Sequence, residues 1–243
     1  MLAIKYIQQV QGLIDQCKEQ ADSIDKGAGL IADAIKRDGV LHVFGCGHSQ
    51  MYAEEIFYRA GGLVPVNPIL EPSLSLRPTA PKSTWFERLE GYASLIWEHE
   101  ETHPGEVVLI ASTSGRNAVP VEMAMEAKKR GLSVIALTSS LFSGEVASRH
   151  PSGKKLMDIA DVVLDSKVPK GDAVMELEGL GAKFGPVSSI VGFTLLQALM
   201  VETIGKLVQG GMRPPIWVSS NLDEGDAVNR KYIRDYKKRI SCL

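Results

Sequence analysis

The sequence predicts an α/β fold: a three-layer αβα sandwich around a mostly parallel five-stranded sheet, with extra helices at the N- and C-terminal ends. Three observations carry that prediction. Short apolar runs alternate along the chain with segments of helical periodicity, the pattern of strands joined by helical crossovers. Two of these runs end in turns dense in glycine and hydroxyl residues, Gly45-Cys46-Gly47-His48-Ser49 and Ser112-Thr113-Ser114-Gly115. The length of 243 residues, with 44% hydrophobic and 23% charged, suits one domain with a full core.

Each element has its own signal. In residues 4–37 the apolar positions Ile4, Ile7, Val10, Leu13 and Ile14, then Ile24, Leu30, Ile31 and Ile35, recur at helical spacing. Two helices or one kinked helix are expected there, with the break near Asp22-Ser23. Residues 40–44 read as a first strand, 50–60 as a helix stopped by Gly61-Gly62, and 63–66 as a second strand. Residues 67–81 carry Pro68, Pro72, Pro78 and Pro81 and are expected to be a loop. A helix is predicted over 85–99, a strand over 107–111 and a helix over 119–130 with Gly131 as its stop. Strands at 133–137 and 161–164 flank a polar stretch, 139–155. A long helix over 188–209 follows, then a short strand at 216–218 and a charged terminal helix. No repeat or linker divides the chain, so a single domain is expected over 1–243, with N-terminal helices at 1–37 and a C-terminal extension at 212–243.

Composition narrows the function. The 27 basic and 29 acidic residues leave a net charge of −2, which removes the electrostatic case for a nucleic-acid or anionic-membrane binder. The cysteines Cys17, Cys46 and Cys242 are scattered, so neither a disulfide framework nor a metal knuckle is expected. The five histidines include no pair at metal-ligand spacing, and no metal or other cofactor is predicted. The N-terminus lacks the basic-then-apolar pattern of a secretory signal. The uncharged run 184–201 contains Pro186, Ser188, Ser189, Thr194 and Gln197, which suits a buried helix better than a membrane span. A cytoplasmic protein is expected.

In an open α/β sheet, ligands bind where strands end and helices begin, and the two glycine- and hydroxyl-rich turns lie there. Small residues let the backbone approach an anion, and serine and threonine hydroxyls donate to it without adding a buried charge. Both turns together point to a phosphorylated small molecule held by Gly47, His48, Ser49, Ser112, Thr113, Ser114, Gly115, Arg116 and Asn117. A plain tight turn at the first site and helix capping at the second are the competing roles. Other phosphate and nucleophile motifs fail on inspection. A dinucleotide fingerprint needs glycine where Gln50 stands, and Gly153-Lys154-Lys155 lacks the hydroxyl of a nucleotide phosphate loop. Gly47-His48-Ser49-Gln50-Met51 lacks the last glycine of a serine-hydrolase elbow.

These turns, in order with Gly185-Pro186-Val187-Ser188-Ser189 opening a long apolar helix, resemble the SIS (sugar isomerase) family, of which phosphoheptose and arabinose-5-phosphate isomerases are members. The resemblance covers most of residues 1–209. It implies that Ser49, Ser112, Ser114 and the Gly115 backbone hold a sugar phosphate, and that Ser188 and Ser189 stand near the sugar. Helix capping is the other role open to that serine pair. Asn117 departs from the family's hydroxyl at that position, and Arg116 beside it offers a charge-assisted bond. The catalytic pattern departs further: the family's first-helix glutamate position falls on Arg59, and the late helix has no histidine.

Aldose–ketose isomerisation needs a base beside the carbonyl and an acid for the enediolate oxygen. The candidates are His150, in a polar loop with Lys154 and Lys155; Glu55, on the helix after the first turn; and Glu202, a carboxylate interrupting the late apolar helix. Each also has a bland role: a solvated loop for His150, a helix-surface charge for Glu55, and an ion pair with Lys206 for Glu202. His42, within a strand, reads as structural. Two functions stay open, a sugar-phosphate isomerase or related amino-sugar-phosphate enzyme, and a non-catalytic sugar-phosphate sensor. The N-terminal helices and the apolar late helix exceed what one sheet needs for cover, so a homo-oligomer of at least two copies is expected.

Overall fold

The computed structural model describes residues 1–243. Five parallel strands form the central sheet in the order β2-β1-β3-β4-β5: β1 (Leu41–Gly45), β2 (Val66–Ile69), β3 (Val107–Ala111), β4 (Ser133–Thr138) and β5 (Val162–Asp165). Alternation along the strands divides the core in two. Leu41, Val43, Val107, Leu109, Ile135 and Leu137 face one layer of helices; Phe44, Val108, Ile110, Val134 and Ala136 face the other. The first layer holds α1 (Leu2–Gln16), α2 (Ala21–Lys36), α3 (Met51–Ile56) and α8 (Ser188–Gln209). The second holds α5 (Tyr92–Glu98) and α6 (Ala118–Lys129), with Trp97 and Met123 fully buried. Both faces of the sheet are therefore covered, as the apolar strands require.

β3 and α8 span the predicted residues, and Gly131 ends α6 in the left-handed region at φ +77°. Several expectations are corrected. The break in the N-terminal helices falls at Cys17–Gln20, a 3-10 turn ahead of Asp22-Ser23. The helix after β1 stops at Ile56, because Phe57 is extended and Tyr58 adopts a positive φ of 49°. The second strand is 66–69 rather than 63–66, inside the segment expected to be a loop. Pro68 is tolerated there because β2 is an edge strand whose only neighbour is β1. Leu63 instead bridges Ile216, so the strand expected at 216–218 is reduced to this short antiparallel contact. The helix expected over 85–99 is two helices, α4 (Ala80–Phe86) and α5, separated at Gly91, which has φ +77°. The polar stretch 139–155 contains one short helix, α7 (Ser140–Gly144). An antiparallel hairpin of β6 (Ala173–Met175) and β7 (Phe184–Pro186) was not anticipated. The terminal helix is α9 (Gly225–Tyr236).

By length and composition α8 is apolar enough to cross a membrane. Its Val191, Leu195, Leu196 and Leu199 nonetheless belong to the core, packed against α2 and the sheet.

The amino-terminal edge of the sheet is closed around one carboxylate. Glu106 is 2% exposed and accepts hydrogen bonds from the N–H groups of Val40 (3.0 Å) and His103 (2.7 Å) and from Arg239 Nη2 (2.7 Å). His42 Nε2 lies 3.1 Å from it. Asn67 Nδ2 donates to His42 Nδ1 and to Glu100, so the hydrogen-bond geometry assigns the imidazole proton to Nε2, facing Glu106. His42 is thus structural, as its strand position suggested. Burial alone would raise the pKa of Glu106; the bonds from His42, His103, Arg239 and Val40 outweigh it and hold the pKa down at about 2. Arg239 fastens the C-terminal extension to this carboxylate.

A folded-state pKa below the unfolded value makes a contribution that is complete above about pH 4.5 and disappears as pH falls toward 2, worth on the order of 3 kcal/mol. Replacing Glu106 by Gln is expected to lower the unfolding free energy in urea by about that amount at pH 7. The deficit relative to the parent should shrink through pH 4 to 2; an equal deficit at both ends would show that packing, not charge, is responsible.

Candidate functional site

At the carboxyl edge of the sheet the two predicted turns meet. The first follows β1. A side chain on Gly45 would collide with the Ser49 carbonyl, which lets the chain fold back on the strand end, and Gly47 turns it at φ +57°. The second follows β3. Gly115 takes φ +60°, with its N–H donating to the Ser112 hydroxyl at 3.3 Å and its carbonyl accepting from Leu156. No backbone carbonyl accepts from the N–H groups of Thr113 or Ser114.

A cavity of about 360 Å³ lies between them. Of the predicted ligand residues, His48, Ser49, Ser112, Thr113, Ser114, Asn117, Ser188 and Ser189 line it. Gly47 and Gly115 shape the turns without lining the cavity, and Arg116 lies behind the second turn with its Nε buried and unpartnered. Ser188 is not free: its N–H and hydroxyl both donate to Asp172, at 2.7 and 2.6 Å, and the Val187 N–H joins them at 3.1 Å. Asp172 therefore caps α8 from outside the helix, and the predicted serine cap is replaced by this carboxylate. Its φ of +59° is held by those three bonds. Ser189 keeps an unengaged hydroxyl toward the cavity.

The three predicted acid/base residues lie elsewhere. His150 bonds Ser152 through Nδ1 at 2.7 Å, stands 3.5 Å from Glu122 through Nε2, and occupies a shallow depression near α5 and α6. Glu55 accepts from Arg59 and Gln197, each at 3.1 Å, in a separate cavity of about 290 Å³. Glu202 is 13 residues along α8 from Ser189, roughly 20 Å at 1.5 Å per residue. Its expected partner Lys206 instead pairs with Asp25 at 2.6 Å.

The cavity brings in groups the sequence reading missed. Glu87 lies at the end of α4, and its carboxyl is raised above the usual range by burial, against the opposing hydrogen bond of Asn117 and the charges of Arg88 and Arg149. Read as one helix, residues 85–99 made it one charge among several; the Gly91 break was the signal. Asp172 was hidden in a stretch with no assigned structure, where Gly171-Asp172 marks a turn. Tyr52 donates to the Ser188 carbonyl at 2.8 Å, and burial, then the charge of Asp172, pushes its phenol pKa well up, so it is a neutral donor. The Cys46 thiol is buried and pushed up likewise, which makes it a poor nucleophile. No group of three or more His, Cys, Asp or Glu side chains is arranged to hold a metal.

What the arrangement can do follows from these groups: unengaged hydroxyls and amide N–H groups for an anion, and a carboxyl whose pKa burial raises, lining the same cavity.

Known proteins share both sequence and fold with this chain. The family model described as SIS domain matches residues 5–139. A UPF0309 protein of Caldanaerobacter subterraneus is 44% identical over 242 residues, 98% of each chain. The phosphoheptose isomerase of Neisseria gonorrhoeae superposes with a TM-score of 0.54 at 15% identity, over 85% of this chain and 97% of that one. The sugar isomerase domain of an RpiR transcription factor from Sphaerobacter thermophilus does so with a TM-score of 0.51 at 17% identity, over 96% and 98%. At such identities the superpositions establish the fold. The family match and the close relative, added to the two strand-end turns, establish that the chain is a SIS-domain protein of the UPF0309 family.

Proposed function

We propose that the chain binds a phosphorylated sugar in the cavity between its two turns and moves a proton beside the sugar's carbonyl. One observation carries the reading: unengaged donors on Ser49, Thr113 and Ser114 line the same cavity as the raised-pKa carboxyl of Glu87. The donors suit a phosphate that brings its own charge. Glu87 replaces His150, Glu55 and Glu202 as the leading base because it lines this cavity and they do not. Its carboxylate removes the proton from the carbon next to the carbonyl, and the resulting acid returns it to the neighbouring carbon, which interconverts aldose and ketose with no net gain or loss of atoms. His48, on the opposite turn, is the group available to move the hydroxyl proton. The UPF0309 relatives and the phosphoheptose isomerase fold are compatible with this chemistry.

A second reading, a sensor that binds the sugar without turning it over, is favoured by the RpiR transcription factor's shared fold. The two readings separate in one experiment. In a thermal-shift panel, a phosphorylated sugar at about 100 times its Kd should stabilise the protein by roughly 2.7 kcal/mol, and the unphosphorylated form should not. Glu87→Gln should keep that binding within a few-fold and lower turnover by about 10²-fold or more. Turnover unaffected by the substitution removes Glu87 from the reaction; binding with no turnover in the parent supports the sensor.

Self-association belongs to the same reading. Ile4 and Ile7 on α1 are 51% and 49% exposed, and Val201 and Val208, on one face of α8, are 69% and 58% exposed. Tyr6 bonds to Pro186 ahead of α8, so Ile4 and Ile7 lie near the start of α8 and Val201 and Val208 toward its end, and the α8 pair offers a second copy an apolar patch. Sedimentation should show a species of at least twice 26.4 kDa, and the double substitution Val201→Glu with Val208→Glu should convert it to monomer. A parent that sediments only at 26.4 kDa would overturn the oligomer.

A further inference from the structure

Three arginines from separate segments gather beside Glu87 and Asn117; none lines the cavity itself, and Arg88 and Arg149 are exposed to solvent. Arg88 follows Glu87 beyond α4, Arg116 lies in the second turn, and Arg149 lies between α7 and β5. Arg149 Nη1 donates to Asn117 Oδ1 at 2.9 Å, and its backbone N–H donates to the Arg116 carbonyl at 2.8 Å, which fastens the two loops together. Burial and the nearby charges of Arg116 and Arg88 hold the Arg149 guanidinium below its usual range, with Glu87 opposing. The salt-bridged arginines of the chain are Arg59, Arg130, Arg234 and Arg239, not these three. Arg116 Nε is buried without a hydrogen-bond partner. The buried Arg116 Nε costs free energy while it lacks an acceptor, and an anion at the exposed guanidinium groups of Arg88 and Arg149 would relieve their mutual repulsion. The net charge of −2 means that this concentration of positive charge is local, not a property of the whole surface.

Asn117 connects the cluster to the proposed ligand site. It lines the cavity with Glu87 and accepts from Arg149, so it stands between that arginine and the candidate base. The unengaged hydroxyls and N–H groups of Thr113 and Ser114 form a separate anion cradle on the same wall. Guanidinium groups suit phosphate and carboxylate because their paired N–H donors match the two oxygens. We propose that Arg88, Arg116 and Arg149 form a second anion subsite, so that the substrate is a sugar phosphate carrying a further anionic group, a carboxylate or a second phosphate. The proposal rests on the sugar-phosphate reading above and names the class of sugar.

Calorimetric titration of the full chain at fixed ionic strength tests it with three probes: fructose 6-phosphate, 6-phosphogluconate and fructose 1,6-bisphosphate. One or both of the latter two should bind at least tenfold more tightly than fructose 6-phosphate, and the preferred one reports whether the subsite takes carboxylate or phosphate. Arg149→Gln, which keeps a donor for Asn117, should abolish that preference and leave fructose 6-phosphate within twofold of the parent. Equal affinity of the parent for all three overturns the second subsite while leaving the sugar-phosphate reading in place. Equal weakening of all three by Arg149→Gln also overturns it, because the arginines would then serve the single phosphate. A parent that takes none of the three overturns both readings. If Arg149→Gln changes the sedimenting species but not the preference, the cluster belongs to a subunit contact and the proposal falls.

Discussion

Parallel pairing is the constraint on which the rest of the molecule depends. Each of the five strands must be followed by a crossover before the next can run the same way, so every strand's carboxyl end opens at the same edge. The turn after β1 and the turn after β3 are thereby neighbours, because β1 and β3 pair directly, Gly45 opposite Ala111. Residues more than 60 positions apart in the chain face one cavity for this reason alone. Covering both faces of such a sheet takes helices on both sides, and the division of the core into two clusters follows.

The two edges of the sheet are finished in opposite ways. At the amino edge, Glu106 gathers His42, Arg239 and two backbone N–H groups into a network that closes the base of the fold, with Arg239 Nε and Asn67 Oδ1 left without hydrogen-bond partners. At the carboxyl edge, donors are left over: the hydroxyls of Ser49 and Ser114, the N–H groups of the second turn, and the guanidinium groups beside Asn117. Asp172 sharpens the contrast. By taking the Val187 and Ser188 N–H groups it occupies the start of α8, whereas no backbone carbonyl accepts from the Thr113 and Ser114 N–H groups in the second turn.

Close approach between helices holds the cavity's shape. A side chain on Gly192 would occupy the space taken by the Tyr52 hydroxyl, so glycine there lets α3 rest on α8. Tyr52 then links the first turn's helix to the start of α8 through the Ser188 carbonyl. The wall that carries Ser49 and the wall that carries Ser189 are fixed relative to each other by this contact, which involves neither ligand nor loop.

The sequence by itself determined what local patterns determine. Val107 to Ala111 carried the strongest strand pattern, and the apolar positions from Ser188 to Gln209, entered through polar residues, read as a buried helix, so both were legible to the residue. The two glycine- and hydroxyl-rich turns were legible as turns at strand ends, with tight-turn and capping roles open beside ligand binding. Tertiary structure decided what depends on neighbours. Pro68 argued for a loop and became part of an edge strand, since strand position in the sheet is not written in the strand. His150, Glu55 and Glu202 had suitable chemistry, but periodicity does not say which cavity a side chain reaches. Glu87 and Asp172 were invisible as site residues for the converse reason. Their chemistry comes from burial beside Asn117 and from the exposed start of α8, and both are made by segments distant in sequence.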